Sequence, residues 1–345
     1  MYNNLTMPIL VILLFTMTLS ANEPKLEELT KTDQVIWGFD FIKPDQIIFT
    51  ERSGKIKILN TKLKSVTDLG SPVPVFSKGQ GGMLDVKTHP DFQKNQTVFI
   101  TYAKKSAQQI TTALGSFVLK NNRIENFKEL IVANVKGDDH IHFGSRIVFE
   151  DSKSMYVSVG DRNERELAQS DQYHNGKILK IILKDDLTVS SSEIFSKGHR
   201  NPQGLYWDAA AKKLWESEFG PRGGDELNLI EKNANYGWPI VTHGKEYWGP
   251  KIGEGTSKPG MKDSVHYWVP SISPSGIAVK GDTVLLACLS GQQIKVLQML
   301  NDKVVNEKSL FVEKRWRFRD VDFGPDDLAY ATTDDGRIVR WNPKE

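Results

Sequence analysis

The feature that most constrains this chain is a recurrence. A short apolar run, a turn rich in Asp, Gly, Pro, Asn or Lys, and a second apolar run appear six times, starting near Trp37, Met83, Arg146, Gly204, Gly276 and Asp320. The mean spacing is about 57 residues, in the range of a repeat architecture. Most copies continue into a third alternating segment, as at residues 55–59, 177–182, 293–297 and 337–341. Period-two alternation of β-branched and aromatic residues reads as strands, and no comparably long 3.6-residue apolar stripe competes with it. Each copy is therefore a small antiparallel sheet. Six such sheets set radially bury their faces against one another and leave only short edges exposed. The expected fold is all-β: a six-bladed β-propeller of four-stranded antiparallel sheets. A double β-sandwich is the competing architecture, and it does not explain the regular spacing. Residues 25–31 would add an outer strand to the last sheet and close the ring.

At 345 residues the chain could form two ordinary domains or one large all-β domain, and the recurrence favours one, spanning 22–345. Charged residues make up 26% with a net charge of +2, so nothing in the charge implies nucleic acid. Residues 8–19 are an uncharged apolar run followed by Ser20, Ala21 and Asn22, the pattern of a secretory signal over 1–21. At about twelve residues the run is too short to span a bilayer. The expectation is export to the periplasm or beyond, with no membrane span left after cleavage. The single cysteine, Cys288, lies in an apolar run and reads as a buried small hydrophobe, which leaves no internal disulfide.

Three segments stand apart from the strand pattern: GHRNPQG at 198–204, GPRGGDE at 220–226 and NYGWP at 235–239. Their density of Gly, Pro, Arg, Asn and carboxylate suits loops that hold a charged ligand and a hard cation. Taken in order with QGGML at 80–84, HPDF at 89–92, HFGSR at 142–146, Gly160-Asp161 and RFRD at 317–320, they make the chain resemble the soluble quinoprotein sugar dehydrogenases, which depend on pyrroloquinoline quinone (PQQ). The resemblance runs from about residue 35 to the C-terminus.

The resemblance implies oxidation of the anomeric hydroxyl of an aldose to a lactone, with electrons passed to an external acceptor. It makes His142 the base, a role that needs a neutral imidazole within reach of the substrate hydroxyl. Asp161 becomes the carboxylate that orients it. His140, two residues from His142, is the rival base and would share its face on a strand. Gln80, Arg200, Asn201, Arg317 and Arg319, with His142, match positions that contact PQQ, whose three carboxylates call for guanidinium and amide donors. Arg317 and Arg319, at i and i+2, would share one strand face. Trp268 falls near an aromatic that covers the quinone ring. Calcium is implied at the main-chain carbonyls of Gly220 and Pro221, and again at Glu226 and the carbonyl of Tyr236. In one place the chain departs from the family: Ser290 stands where relatives carry a lysine that pairs with the cofactor. Two other readings stay open on the same scaffold, a calcium-dependent lactone or ester hydrolase and a non-catalytic binding propeller.

Overall fold

The computed structural model describes residues 23–106 and 109–345; the proposed signal at 1–21 lies outside them. Six four-stranded antiparallel sheets follow one another along the chain. Their innermost strands are Ile36–Lys43, Met83–Thr88, Ile147–Asp151, Pro202–Asp208, Pro274–Lys280 and Phe318–Phe323. Each touches the next around a closed ring, and the sixth touches the first. The architecture is the expected propeller, and the six apolar layers lie between successive blades.

Burial follows position within a blade. The second strand of blade three, Ser154–Val159, is buried at every residue, whereas the outer strand of blade one, Ser65–Gly70, is exposed along most of its length. Strands covered on both faces read as continuous apolar runs, and polar outer strands blunt the sheet edge. Tight turns join the strands through side-chain acceptors. Asn60 Oδ1 accepts from the backbone N–H groups of Lys62 and Leu63 at 3.0 and 2.9 Å, and Asp208 Oδ1 does the same for Ala210 and Ala211 at 3.0 Å each.

The ring closes as expected. Glu27–Lys31 pairs antiparallel with Arg337–Trp341 and supplies the fourth strand of blade six. Arg337 Nε to Glu28 and Arg340 Nε to Glu27, each 2.8 Å, fasten it, and Leu29 is buried between blades six and one.

Five of the six innermost strands are bulged near their first residues, at the Ile36/Phe39, Met83/Val86, Pro202/Gly204, Pro274/Ile277 and Phe318/Asp320 steps. A bulge re-aims side chains and bends its strand. Here it lets the strands converge on the axis: a Cβ at Gly276 would lie 2.2 Å from Asp320 Oδ1, so only glycine fits. At the level of the bulges, Arg146 ties four blades together. Its Nη1 bridges Asp85 and Asp320 at 2.9 and 2.8 Å, and its Nε donates to the Gln203 carbonyl at 2.9 Å.

Candidate active site

The innermost strands all run the same way, so the segments that lead into them open at one mouth of the central channel. His142, Arg200, Asn201, Arg317 and Gln80 all belong to such segments, and Arg319 sits in the bulge of blade six. The connections after the second strands of blades three and four reach the same mouth with Asp161 and Gly220.

His142 lies in an irregular segment in the left-handed region (φ 55°), not on a strand, so the expected shared face with His140 does not form. A Cβ at Gly160 would lie 2.2 Å from the His142 carbonyl, and this glycine lets the segment press onto blade three. Gln80 Oε1 accepts from the His142 backbone N–H at 2.9 Å. His142 Nδ1 meets Asp161 Oδ1 at 2.7 Å, both side chains almost wholly buried. That contact fixes the tautomer with hydrogen on Nδ1 and leaves the Nε2 lone pair free to accept a proton. Burial first, then the Arg200 charge, lower the imidazole pKa below 6.5 against the pull of Asp161. Burial would raise Asp161, yet its neighbours hold it below the ordinary carboxylate range. His140 is exposed, packs edge-on against Phe76 and gives its carbonyl to the Gln80 N–H.

Arg200 Nη1 donates to the carbonyls of Phe219 and Gly220 at 3.2 and 2.8 Å. The Gly220 carbonyl assigned to calcium thus already faces a guanidinium and keeps only its second lone pair. Asn201 Oδ1 accepts from the Gly144 N–H at 3.1 Å, which turns its Nδ2 away, buried and without a partner. Arg317 and Arg319 do share a face: their Nε atoms each take one oxygen of Asp334 at 2.8 Å. Arg319 Nη1 also reaches Gln203 Oε1 at 3.0 Å. Burial lowers the Arg319 pKa, Asp334 opposes this, and the charges of Arg317 and Arg52 lower it further. Among the described residues, Asp334 is the carboxylate paired with Arg317 and Arg319, and the charge of Arg52 adds to theirs, so positive charge exceeds negative at this point and suits an anion.

Trp268 does not join this cluster. It lies on the outermost strand of blade four, in the core between blades four and five, and its indole N–H goes to Glu307 at 3.1 Å. Ser290 is at the mouth, with its hydroxyl 2.7 Å from that of Ser273.

Beside the mouth, between blades three and four, Glu216 and Glu218 on one strand face Asn228 and Glu226 on the next. Glu226 and Tyr236 line one small cavity with Gly220 and Glu218. Glu216 Oε1 and Asn228 Oδ1 are buried without partners, and no lysine or arginine among the described residues pairs with the three glutamates. Burial first, then the charge on Glu218, push Glu226 up to about 8 and Glu216 well above its usual value. Converging oxygens short of positive charge are the donor set of a hard cation. Asp225, by contrast, is satisfied by the Gly220, Ile272 and Ser273 N–H groups and the Ser271 hydroxyl, and it pins loops.

A family model described as Glucose / Sorbosone dehydrogenase matches residues 33–340. The chain belongs to that family. The aldose sugar dehydrogenase YliI of Escherichia coli K12 is 30% identical over 334 residues, covering 89% of this chain and 90% of the relative. Quinoprotein glucose dehydrogenase B of Acinetobacter calcoaceticus is 30% identical over 258 residues, covering 64% of this chain and 52% of that longer protein. The crystal structure of the soluble E. coli aldose sugar dehydrogenase in its apo form superposes with a TM-score of 0.85 at 29% identity, covering 92% of this chain and 98% of that one. As a member of a sugar dehydrogenase family, the chain reads as an oxidoreductase, and no helix among its described residues is long and apolar enough to cross a membrane.

Sequence reasoning missed Asp334 and Arg52 at this mouth and Glu216 beside it, and it took in Gln203 only as part of GHRNPQG, with no role of its own. Asp334 sits in an ordinary turn sequence, and the other three lie in strands or hairpin ends where only the three-dimensional pairing shows their neighbours. Trp238 lies within NYGWP, a motif that by itself gives no sign of the contact with Asp161.

Proposed function

We propose that this chain is a PQQ- and calcium-dependent dehydrogenase, exported to the periplasm or secreted, that oxidises the anomeric hydroxyl of an aldose to a lactone and hands two electrons to an external acceptor. The observation that carries the reading is one mouth combining a neutral, carboxylate-oriented imidazole with guanidiniums that outnumber their counter-ions. The residues fit PQQ: the orphaned Asn201 Nδ2 and the Arg52, Arg317 and Arg319 cluster suit an ortho-quinone that carries three carboxylates. They also fit calcium, best at Glu226 with the Tyr236 carbonyl, where Glu216 and Glu218 add oxygens. When bound, PQQ would supply the two-electron acceptor and calcium its Lewis acidity.

His142 Nε2 takes the proton of the anomeric hydroxyl. Asp161 keeps the Nδ1 hydrogen in place and stabilises the imidazolium that forms. Arg200, Asn201, Arg317 and Arg319 hold the anionic cofactor, and Gln80 holds the His142 backbone in place. A hydrolase would need no such excess of arginines, which is why the dehydrogenase is preferred over the lactonase.

The test is titration of PQQ and Ca²⁺ into the purified protein, followed by aldoses and a redox dye. Cofactor absorbance changes on binding and aldose-dependent dye reduction are expected. Failure to bind PQQ, or lactone cleavage without it, overturns the reading.

A further inference from the structure

Asp161 has two oxygens, and His142 uses one. Oδ1 accepts from His142 Nδ1 at 2.7 Å and from the Asn163 backbone N–H at 2.8 Å. Oδ2 accepts the indole N–H of Trp238 at 2.8 Å. Trp238 comes from another blade's connection, 77 residues along the chain. It is itself fixed: its backbone N–H donates to Gly198 at 2.9 Å, its carbonyl accepts from Gln169 Nε2 at 2.7 Å, and its ring packs on Ala168 and Ile252. The guanidiniums of Arg165 and Arg200 lie 5.6 and 5.5 Å from its ring. Both Asp161 and Trp238 are buried, and in that setting a carboxylate oxygen left without a donor would be costly and free to turn.

We propose that Trp238 is a positioning residue for the His142–Asp161 pair: its N–H holds the far oxygen of Asp161, so that the near oxygen meets the imidazole in one orientation and with a fixed basicity. The inference rests on the reading of His142 as the base. Donation to Oδ2 spreads the carboxylate charge and weakens its pull on the imidazole proton. The other charged groups facing the pair are Arg200, Arg162 and Arg165, with Asp139 behind Arg162, and none of them supplies a donor to Oδ2. Trp238→Phe keeps an aromatic ring and removes the donor.

The His142 imidazole should be titrated by nitrogen NMR in the cofactor-free protein, in wild type, W238F, W238H, D161N and the double variant W238F/D161N. His142 is expected to titrate at higher pH in W238F than in wild type, with W238H, which retains a ring N–H, lying nearer wild type. With PQQ and an aldose, kcat/KM should fall roughly 10- to 100-fold in W238F. In the D161N background W238F should add little, because its effect runs through that carboxylate. An unchanged His142 titration in W238F, or full additivity with D161N, overturns the proposal. If W238F fails to fold, Trp238→Leu, which also lacks the donor, carries the same comparison against D161N. A shifted titration in a protein that binds no PQQ would leave the positioning role standing and remove the dehydrogenase reading.

Discussion

Neighbours decide the chemistry of single residues here. The imidazole of His142 would titrate near neutrality in water, but burial and the Arg200 charge both disfavour its cationic form. A base must be neutral to accept a proton, so kcat/KM should fall as pH drops through the pKa of His142. The acid limb of the pH profile is therefore expected below pH 6.5, and a limb well above that value would assign it to another group. The two arginines of RFRD also separate by setting. Arg319 is buried between Asp334 and Gln203, whereas the Arg317 side chain is 47% exposed. Replacing Arg319 with alanine should cost about 2–5 kcal/mol of PQQ affinity, the scale of a buried charge pair losing one member. Arg317→Ala should cost no more than about 1 kcal/mol, as solvent screens an exposed pair. Titrating PQQ into both variants checks the order. The sequence showed that these residue types were present; it did not show that Arg319 lies in a bulge facing Gln203.

At the scale of elements, the two devices are the bulge that recurs at the start of most innermost strands and the single strand that closes the ring. The alternation of apolar residues was enough to locate the strands and the closing segment, because in-out periodicity survives in any strand with one buried face. Each bulge shifts the alternation by one residue, but it does so within the first few residues of its strand, where too little of the pattern precedes it for the break to be legible. The segment holding His140 and His142 shows the same limit from the other side: its spacing suited a strand, but the left-handed backbone at His142 and contact with blade three made it a loop. Closure depends on Leu29, 2% exposed among Ile36, Phe49 and Ile338. Leu29→Ala should destabilise the protein by about 2–5 kcal/mol, as truncations that leave a core cavity do. Denaturant unfolding measures it, and a loss under about 0.5 kcal/mol, typical of a surface site, would show that blade six does not need its fourth strand.

At the scale of the whole molecule, strand pairing in blade four sets Glu216, Glu218 and Glu226 beside one another, and the closed ring buries them without a lysine or arginine partner among the described residues, His199 alone meeting Glu218 at 3.0 Å. Raised carboxyl pKa values have a definite sign: without metal, the glutamate cluster weakens stability as pH rises from 4.5 to about 8, since the unfolded chain ionises first. Calcium binding to the ionised form should raise the melting temperature in a concentration-dependent way, most at the alkaline end. The double variant Glu216→Gln, Glu226→Gln should melt higher than wild type in chelator and respond little to calcium. An unchanged calcium response in scanning calorimetry would move the ion elsewhere.

The blade number, the strand ladder and the chemical types of the site residues were all in the sequence, because alternation and local motifs are properties of neighbours along the chain. What only the folded ring decided was which of them meet: that Arg200 occupies the Gly220 carbonyl, that Trp268 lies in a core between blades, and that Trp238 reaches Asp161 from 77 residues away. Those contacts join residues through space, and their energies come from burial and charge that exist only once the blades have closed.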